Sequence, residues 1–351
     1  MRRPSAVGGT RTALGTSAEP LVTAYDCAML DLDGVVYVGG HAVDGVPEIL
    51  ATARGRGMTL AFVTNNASRR PETVADHLAE IGVRAEAADV VTSAQAAARE
   101  VADRVDVGAK VLVIGGEGLV VALQELGLVP VTSAAEMPAA VAQGFDPGVG
   151  WRQLTEGAAA IRGGAIWVAS NLDLTVPTPR GPAPGNGALV NALAAAVDRR
   201  PVVVAGKPFR GLFDETVRRI SSRRPIVVGD RLDTDIEGAV RCGADSLLVM
   251  TGVTDPAALA AAPAHRRPTY VAWTMRGLLT AHAAPEESSG TWSLGGWVAA
   301  VDDGCVSVRR RGDCEDDGLR AVTAAAWAWC DSHPDSCARL PTRLLEVGDG
   351  R

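Results

Sequence analysis

Short apolar runs alternate along this chain with stretches in which apolar positions recur every three or four residues. Ala28 to Leu32 (AMLDL) reads as a buried strand that runs into a carboxylate, and Val46 to Arg56 reads as a helix. Thr59 to Val63 (TLAFV) is a second buried strand. Pro71 to Glu80 is a second helix, with proline in the first turn, where a missing N–H costs nothing. The same rhythm returns at Pro201 to Ala205, Gly211 to Ser221, Pro225 to Gly229, Ile236 to Arg241 and Ser246 to Met250. Strands this short and this uniformly apolar, separated by helices, predict a parallel sheet covered on both faces.

Between these blocks lies a second set. Val111 to Ile114, Ala139 to Ala142 and Ile166 to Ala169 are strand-like, and Gly118 to Leu126, Trp151 to Ile161 and Ala188 to Val197 are helix-like. The pattern predicts an α/β protein with a doubly wound, Rossmann-like parallel-sheet core at 21–93 and 203–282. A complete α/β module is inserted at 94–202. Residues 283–290 (Ala283 to Gly290, AAPEESSG) are a linker by composition. The last segment, 291–351, reads as a small ββα unit. Gly296 to Val301 and Cys305 to Arg309 form a hairpin about Asp302-Asp303-Gly304, followed by a helix from Asp316 to Asp331. Four of the seven tryptophans fall here, which predicts that the unit packs against another surface.

Composition narrows the function classes. A net charge of −7 gives no basic footprint for nucleic acid or for an anionic membrane surface. No run of eighteen apolar residues is present to span a bilayer. Residues 1–20 are rich in Ser, Thr, Gly and Ala and lack the apolar stretch of a secretory signal, so they read as a disordered tail and the protein as cytoplasmic. Cys305, Cys314, Cys330 and Cys337 match no paired zinc spacing and read as reduced thiols. Of the 34 basic residues only Lys110 and Lys207 are lysine.

Candidate chemistry sits where the predicted strands end, which is where ligands bind in open parallel sheets. Asp31 and Asp33, with Gly34 after them, lie on one side of the chain and within reach of one substrate. Two such carboxylates can divide nucleophilic attack from proton transfer, although Asp-x-Asp-Gly is also ordinary turn material. Thr64, Asn65 and Asn66 follow the second strand, and a hydroxyl and backbone N–H there suit a phosphate oxygen. Lys207 follows a Val-rich strand. A compact ammonium written in a chain that otherwise uses arginine points to a requirement for a point charge rather than a planar fork. Asp230, Asp233 and Asp235 follow the strand at Pro225, and acids there suit a hard cation bound through oxygen, with magnesium needing only Asp31, Asp230 and Asp235.

In order, these positions resemble the four motifs of the haloacid dehalogenase superfamily: Asp31-x-Asp33, Thr64, Lys207 and Asp230-x4-Asp235. The resemblance implies that Asp31 is a nucleophile forming an aspartyl-phosphate and that Asp33 is the general acid and base. It implies that Thr64 binds phosphate, with Asn65 and Asn66 beside it, and that Lys207 neutralises charge. Asp230 would hold Mg2+ with Asp31 and the Asp33 carbonyl, and Asp235 would be a further ligand or a support. Dehalogenases lack the paired aspartates, and transport ATPases carry threonine at the second, so the resemblance is to the phosphatases and phosphomutases.

Only 33 positions separate Asp31 from Thr64, whereas 143 separate Thr64 from Lys207, so an insertion must enter the second gap. An α/β cap in that gap resembles the subfamily of the NagD and p-nitrophenyl-phosphatase-like proteins and the phosphoglycolate and pyridoxal-phosphate phosphatases. The strings LDLDGVVY, FVTNNAS, Asn171-Leu172-Asp173 and Gly185-Asn186-Gly187 carry that likeness. With its extra C-terminal unit, the arrangement resembles the mycobacterial type of glycerol-3-phosphate phosphatase. That implies hydrolysis of a small phosphorylated metabolite, with a homo-oligomer a possible state of the protein. Gly144-Phe145-Asp146 and Pro184 to Gly187 are either substrate-facing loops or structural turns. The C-terminal strand–loop–helix resembles the coenzyme-A loop of GNAT-type acetyltransferases, but Cys314 stands where glycine or alanine is expected. Asp313, Glu315, Asp316 and Asp317 would also repel a pyrophosphate at the helix N-terminus.

Overall fold

The computed structural model describes residues 13–178 and 180–341. Packing divides the chain into two units, Met1–Leu60, Ile81–Val83 and Ser222–Arg351 in one, and Ala61–Glu80 and Arg84–Ser221 in the other.

In the first unit the chain enters through α1 (Leu21–Ala24) and the fully buried strand β1 (Cys27–Leu30). A small hairpin, β2 (Tyr37–Val38) with β3 (His41–Ala42), precedes α2 (Val46–Gly55). Helix α2 buries Val46, Ile49, Leu50 and Ala53 at helical spacing. Strand β4 (Thr59–Thr64) then begins beside β1, where the Thr59 N–H donates to the Asp26 carbonyl at 3.0 Å.

The second unit takes over within β4. Helix α3 (Pro71–Glu80) and β5 (Val90–Thr92) follow, with β5 parallel to β4. Helix α4 (Ser93–Ala102) starts at a reciprocal cap: Thr92 Oγ1 accepts from the Gln95 N–H, and Gln95 Oε1 accepts from the Thr92 N–H. The alternation continues through β6 (Lys110–Ile114), α5 (Glu117–Glu125), β7 (Val129–Val131), β8 (Ala140–Gln143), α6 (Trp151–Arg162) and β9 (Ile166–Ala169). A short pair, β10 (Thr175–Val176) and β11 (Ala183–Pro184), precedes α7 (Asn186–Val197), β12 (Val203–Val204) and α8 (Arg210–Ile220). Five of these strands form a parallel sheet in the order β12-β9-β8-β6-β7, over a core that includes Leu112, Ile114, Val141, Ile161, Trp167 and Leu193.

Back in the first unit, β13 (Pro225–Gly229), α9 (Glu237–Cys242), β14 (Asp245–Val249), α10 (Pro256–Ala260) and β15 (Tyr270–Ala272) complete a parallel set in the order β15-β14-β13-β1. Asp26 helps fix the β1–β13 register by accepting from the Ser222 hydroxyl and the Arg223 and Arg224 N–H groups. Burial pushes this carboxyl up, but those bonds outweigh it and hold Asp26 below the usual carboxylate range. With β4 on one side of β1 and β13 on the other, the strand order reverses at β1, the feature of a doubly wound sheet that opens a crevice at the strand ends.

Four expectations need correction. Residues 13–20 are not a loose tail: the Gly15 N–H donates to the Thr269 carbonyl, and Ser17 and His282 exchange both backbone bonds. Residues 1–12 of the expected tail lie outside the described residues. Pro201 to Ala205 supplies no core strand, because β12 pairs with β9 (Val203↔Val168, Val204↔Ala169), so the second sheet extends past position 202. Residues 283–290 are not only a linker, since β16 (Glu286–Ser288) pairs there with β17 (Thr291–Leu294). The C-terminal unit therefore has four antiparallel strands, with β18 (Trp297–Asp302) and β19 (Cys305–Arg310) after them, packed with α11 (Glu315–Ser332).

That C-terminal unit shares one core with the parallel sheet. Ile236, Leu248, Leu259 and Val271 cluster with Trp297, Val306, Leu319, Val322 and Trp327. The acids at the start of α11 face protein: Asp316 accepts from the Trp273 N–H at 2.8 Å, and Asp317 pairs with Arg320 at 3.1 Å. Burial raises the Asp316 carboxyl above its ordinary value. No helix among the described residues is long and apolar enough to cross a membrane.

Candidate active site

Strand β1 delivers Asp31 and β13 delivers Asp230, because each aspartate directly follows a fully apolar run that fixes the backbone in the sheet. The two strands are paired, and the Asp31 N–H donates to the Val228 carbonyl at 2.9 Å, so the carboxylates come out side by side. A wide π-helical turn at Leu232–Ile236 swings Asp235 back towards them. One oxygen each from Asp31, Asp230 and Asp235 lies within 4.8 Å of the others, with Asp230 and Asp235 fully buried.

The loop after β14 completes this cluster. The Val253 N–H donates to Asp230 Oδ2 at 2.6 Å, and the Thr251 hydroxyl donates to the Gly34 carbonyl at 2.6 Å. Gly252 passes so close that a Cβ on it would stand 2.0 Å from Asp230 Oδ2, so only glycine fits. The Arg231 N–H donates to Asp235 Oδ2 at 3.2 Å. Three carboxylates at this spacing repel one another, and an all-oxygen donor set on rigid strand ends is what a small divalent cation requires. The residues present therefore fit Mg2+. Asp33 is exposed, bridges to Tyr37 and contributes no side-chain atom to the three-oxygen cluster.

The remaining predicted residues gather in the second unit. Thr64, the buried last residue of β4, accepts the Asn66 N–H on its hydroxyl at 3.1 Å. Asn66 Oδ1 in turn accepts from the Ser68 N–H and hydroxyl, which closes the turn. Lys207, 4% exposed, reaches the Val63 carbonyl with Nζ at 3.5 Å. Its backbone meets Asn65: the Lys207 N–H donates to Asn65 Oδ1 at 2.8 Å, and Asn65 Nδ2 donates to the Lys207 carbonyl at 3.1 Å.

Two contributors were not assigned from sequence. Thr251 to Val253 sit at the carboxyl end of a predicted strand, a position that by itself marks a binding loop. Asp173, quoted above only as part of a string, accepts from Asn65 Nδ2 at 3.1 and 3.3 Å.

Residues 28–129 match the family described as haloacid dehalogenase-like hydrolase, and residues 204–278 match a related HAD-hydrolase-like family. The chain is 43% identical over 337 residues to the D-glycerol 3-phosphate phosphatase of Mycobacterium tuberculosis, covering 93% of this chain and 92% of that one. It is 36% identical to the 5'-nucleotidase YutF of Bacillus subtilis over 66% of this chain and 89% of that one. Among solved structures, the M. tuberculosis glycerol phosphate phosphatase in complex with magnesium superimposes with a TM-score of 0.82 at 40% identity, covering 93% of this chain and 97% of that one. A p-nitrophenyl phosphatase from Archaeoglobus fulgidus gives 0.66 at 27% identity, covering 73% and 98%. With its parallel core, its carboxylates at strand ends and these matches, the chain belongs to the haloacid dehalogenase-like hydrolases.

Proposed function

We propose that this protein hydrolyses a small phosphate monoester through an aspartyl-phosphate on Asp31, with glycerol 3-phosphate as the substrate. The observation that carries the chemistry is the convergence of Asp31, Asp230 and Asp235 within 4.8 Å at paired strand ends. Asp31, Asp230 and Asp235, with the Asp33 carbonyl, would hold Mg2+, which supplies positive charge against a phosphate dianion.

The chain's own groups then divide the work. The Asp31 carboxylate attacks phosphorus as the ester oxygen leaves, and Asp33 gives that oxygen its proton. Asp33, now ionised, takes a proton from water as the water oxygen attacks phosphorus. Phosphate departs, and the Asp31 carboxylate is restored. Thr64, with Asn65 and Asn66 beside it, would bind phosphate oxygens, and the Lys207 ammonium would offset negative charge as it builds.

The substrate rests on extent of likeness. The relative named for glycerol 3-phosphate matches 93% of this chain, whereas the nucleotidase and the acid sugar phosphatase of Staphylococcus saprophyticus each match 66%. A panel of glycerol 3-phosphate, phosphoglycolate, pyridoxal phosphate and nucleoside monophosphates, assayed with Mg2+, tests it. Glycerol 3-phosphate is expected to give the highest kcat/KM by about tenfold or more. A higher value for any other ester would replace it as the substrate.

A further inference from the structure

The Asn65 side chain has two N–H donors and one oxygen acceptor to place. One hydrogen of Nδ2 goes to the Lys207 carbonyl at 3.1 Å, and the other goes to the Asp173 carboxylate at 3.1 and 3.3 Å. Oδ1 accepts the Lys207 N–H at 2.8 Å, and this donor fixes which end of the amide is oxygen. Both donors are therefore taken, and the remaining lone pair on Oδ1 can only repel a phosphate oxygen. The side chain of Asn65 therefore has nothing with which to bind a phosphate oxygen, whatever its backbone N–H does.

What the amide does hold is the peptide of Lys207. It pairs with N–H and C=O of that one residue, as a neighbouring strand would, across 142 positions of sequence. Gly206 makes the approach possible, because a Cβ there would lie 2.6 Å from Asn65 Oδ1 and 2.5 Å from the Ser170 carbonyl. Asn65 is itself anchored: its carbonyl accepts from the Ser93 hydroxyl at 2.5 Å and from Asn171 Nδ2 at 2.6 Å. At the far end of the lysine, Nζ lies 3.5 Å from the Val63 carbonyl. The segment Val63 to Asn65, which carries Thr64 at its centre, thus grips Lys207 at both ends.

We propose that Asn65 and Asp173 are positioning residues for Lys207. The Asn65 amide sets the ammonium in register with the Thr64 hydroxyl, and the Asp173 carboxylate, on the loop after β9, orients the amide. A shift of the lysine by a fraction of an ångström would weaken its grip on developing charge without removing any substrate contact of Asn65. The proposal rests on the charge-neutralising role proposed for Lys207.

A double-mutant cycle with p-nitrophenyl phosphate as the probe tests it. Asn65→Ala is expected to lower kcat about 100-fold, and Asp173→Ala about tenfold, with KM moved less than about threefold in each. In a Lys207→Ala background neither should cost more than about a further twofold, because the group they position is gone. Asp173→Asn keeps an acceptor for Nδ2 and should recover to within about threefold of wild type. Where Lys207→Ala turns over too slowly to assay, calorimetric titration with inorganic phosphate replaces the rate, and adding Asn65→Ala should leave Kd unchanged. If Asn65→Ala costs the same factor with and without Lys207, Asn65 acts on the substrate directly and the positioning role is overturned. If Lys207→Ala alone is as active as wild type, the role of Lys207 fails and the inference falls with it.

Discussion

Gly252 lies against Asp230 so closely that a single added carbon would stand 2.0 Å from its Oδ2, while the next residue, Val253, donates its N–H to that same oxygen at 2.6 Å. The loop after β14 therefore holds one carboxylate of the proposed metal cluster by contact and by hydrogen bond together. Gly252→Ala should push Asp230 out of place with little change elsewhere. The expected result is an activity loss of about 100-fold or more at low Mg2+, partly recovered at high Mg2+. Titration of activity against Mg2+ in the variant and the wild type checks it, and an unchanged half-saturating Mg2+ concentration would refute it.

Asp31→Asn replaces the proposed nucleophile with an amide of the same shape, which cannot form an acyl-phosphate. Turnover should fall about a thousandfold or more, with the thermal midpoint kept or raised, since one of three crowded charges is removed. Steady-state assay and thermal melting decide it. A rate within tenfold of wild type would remove Asp31 from the nucleophile's role.

Trp327 shows how far the C-terminal unit belongs to the sheet beside it. Its ring is 1% exposed, its indole N–H donates to the Leu259 carbonyl at 2.8 Å, and the Arg267 guanidinium lies 5.0 Å from its centre while pairing with Asp331 at 2.8 Å. Trp327→Ala should cost about 3–5 kcal/mol in denaturant unfolding, because a large cavity opens under a helix that two buried arginines also anchor. Truncation after Ala284 would bare Leu248, Leu259 and Val271 as well, and an insoluble or unfolded product is expected. A truncated chain that melts like the full one would disprove the shared core.

His282 gives the protein an acid-sensitive joint. Burial, with the Arg320 charge behind it, lowers its pKa from 6.5 to about 4, while Nε2 donates to the Gly277 carbonyl at 2.8 Å. Above pH 6.5 the imidazole is neutral whether folded or unfolded, and its contribution is constant. Between about 6.5 and 4 the unfolded chain takes up a proton that the folded one refuses, so stability falls as pH falls, by about 3 kcal/mol across the window. His282→Gln keeps a donor for Gly277 and should flatten this part of the loss. Denaturant unfolding of both proteins at pH 7 and pH 4.5 measures it, and parallel losses would exclude His282 as the cause.

The apolar alternation by itself determined the α/β class and the placing of Asp31, Thr64 and Asp230 at strand ends. Each rests on a short, wholly buried run followed directly by a polar residue, which is local information. The helix at Trp151 was legible from apolar spacing within a few turns, and the strand at Ile166 from a short, continuous apolar run, which is equally local information. Three features could be decided only by tertiary structure. Val203–Val204 is too short for its side chains to choose a sheet, and its pairing with β9 was settled by backbone hydrogen bonds to residues far away in sequence. Asn65 has the same letters whether it faces a substrate or a peptide, and only the approach of Gly206 and Lys207 across 142 positions committed its amide. The C-terminal unit announced by its tryptophans that it must pack. That it packs on Leu259 and Val271 followed from burying two incomplete apolar faces against each other, a choice no local pattern contains.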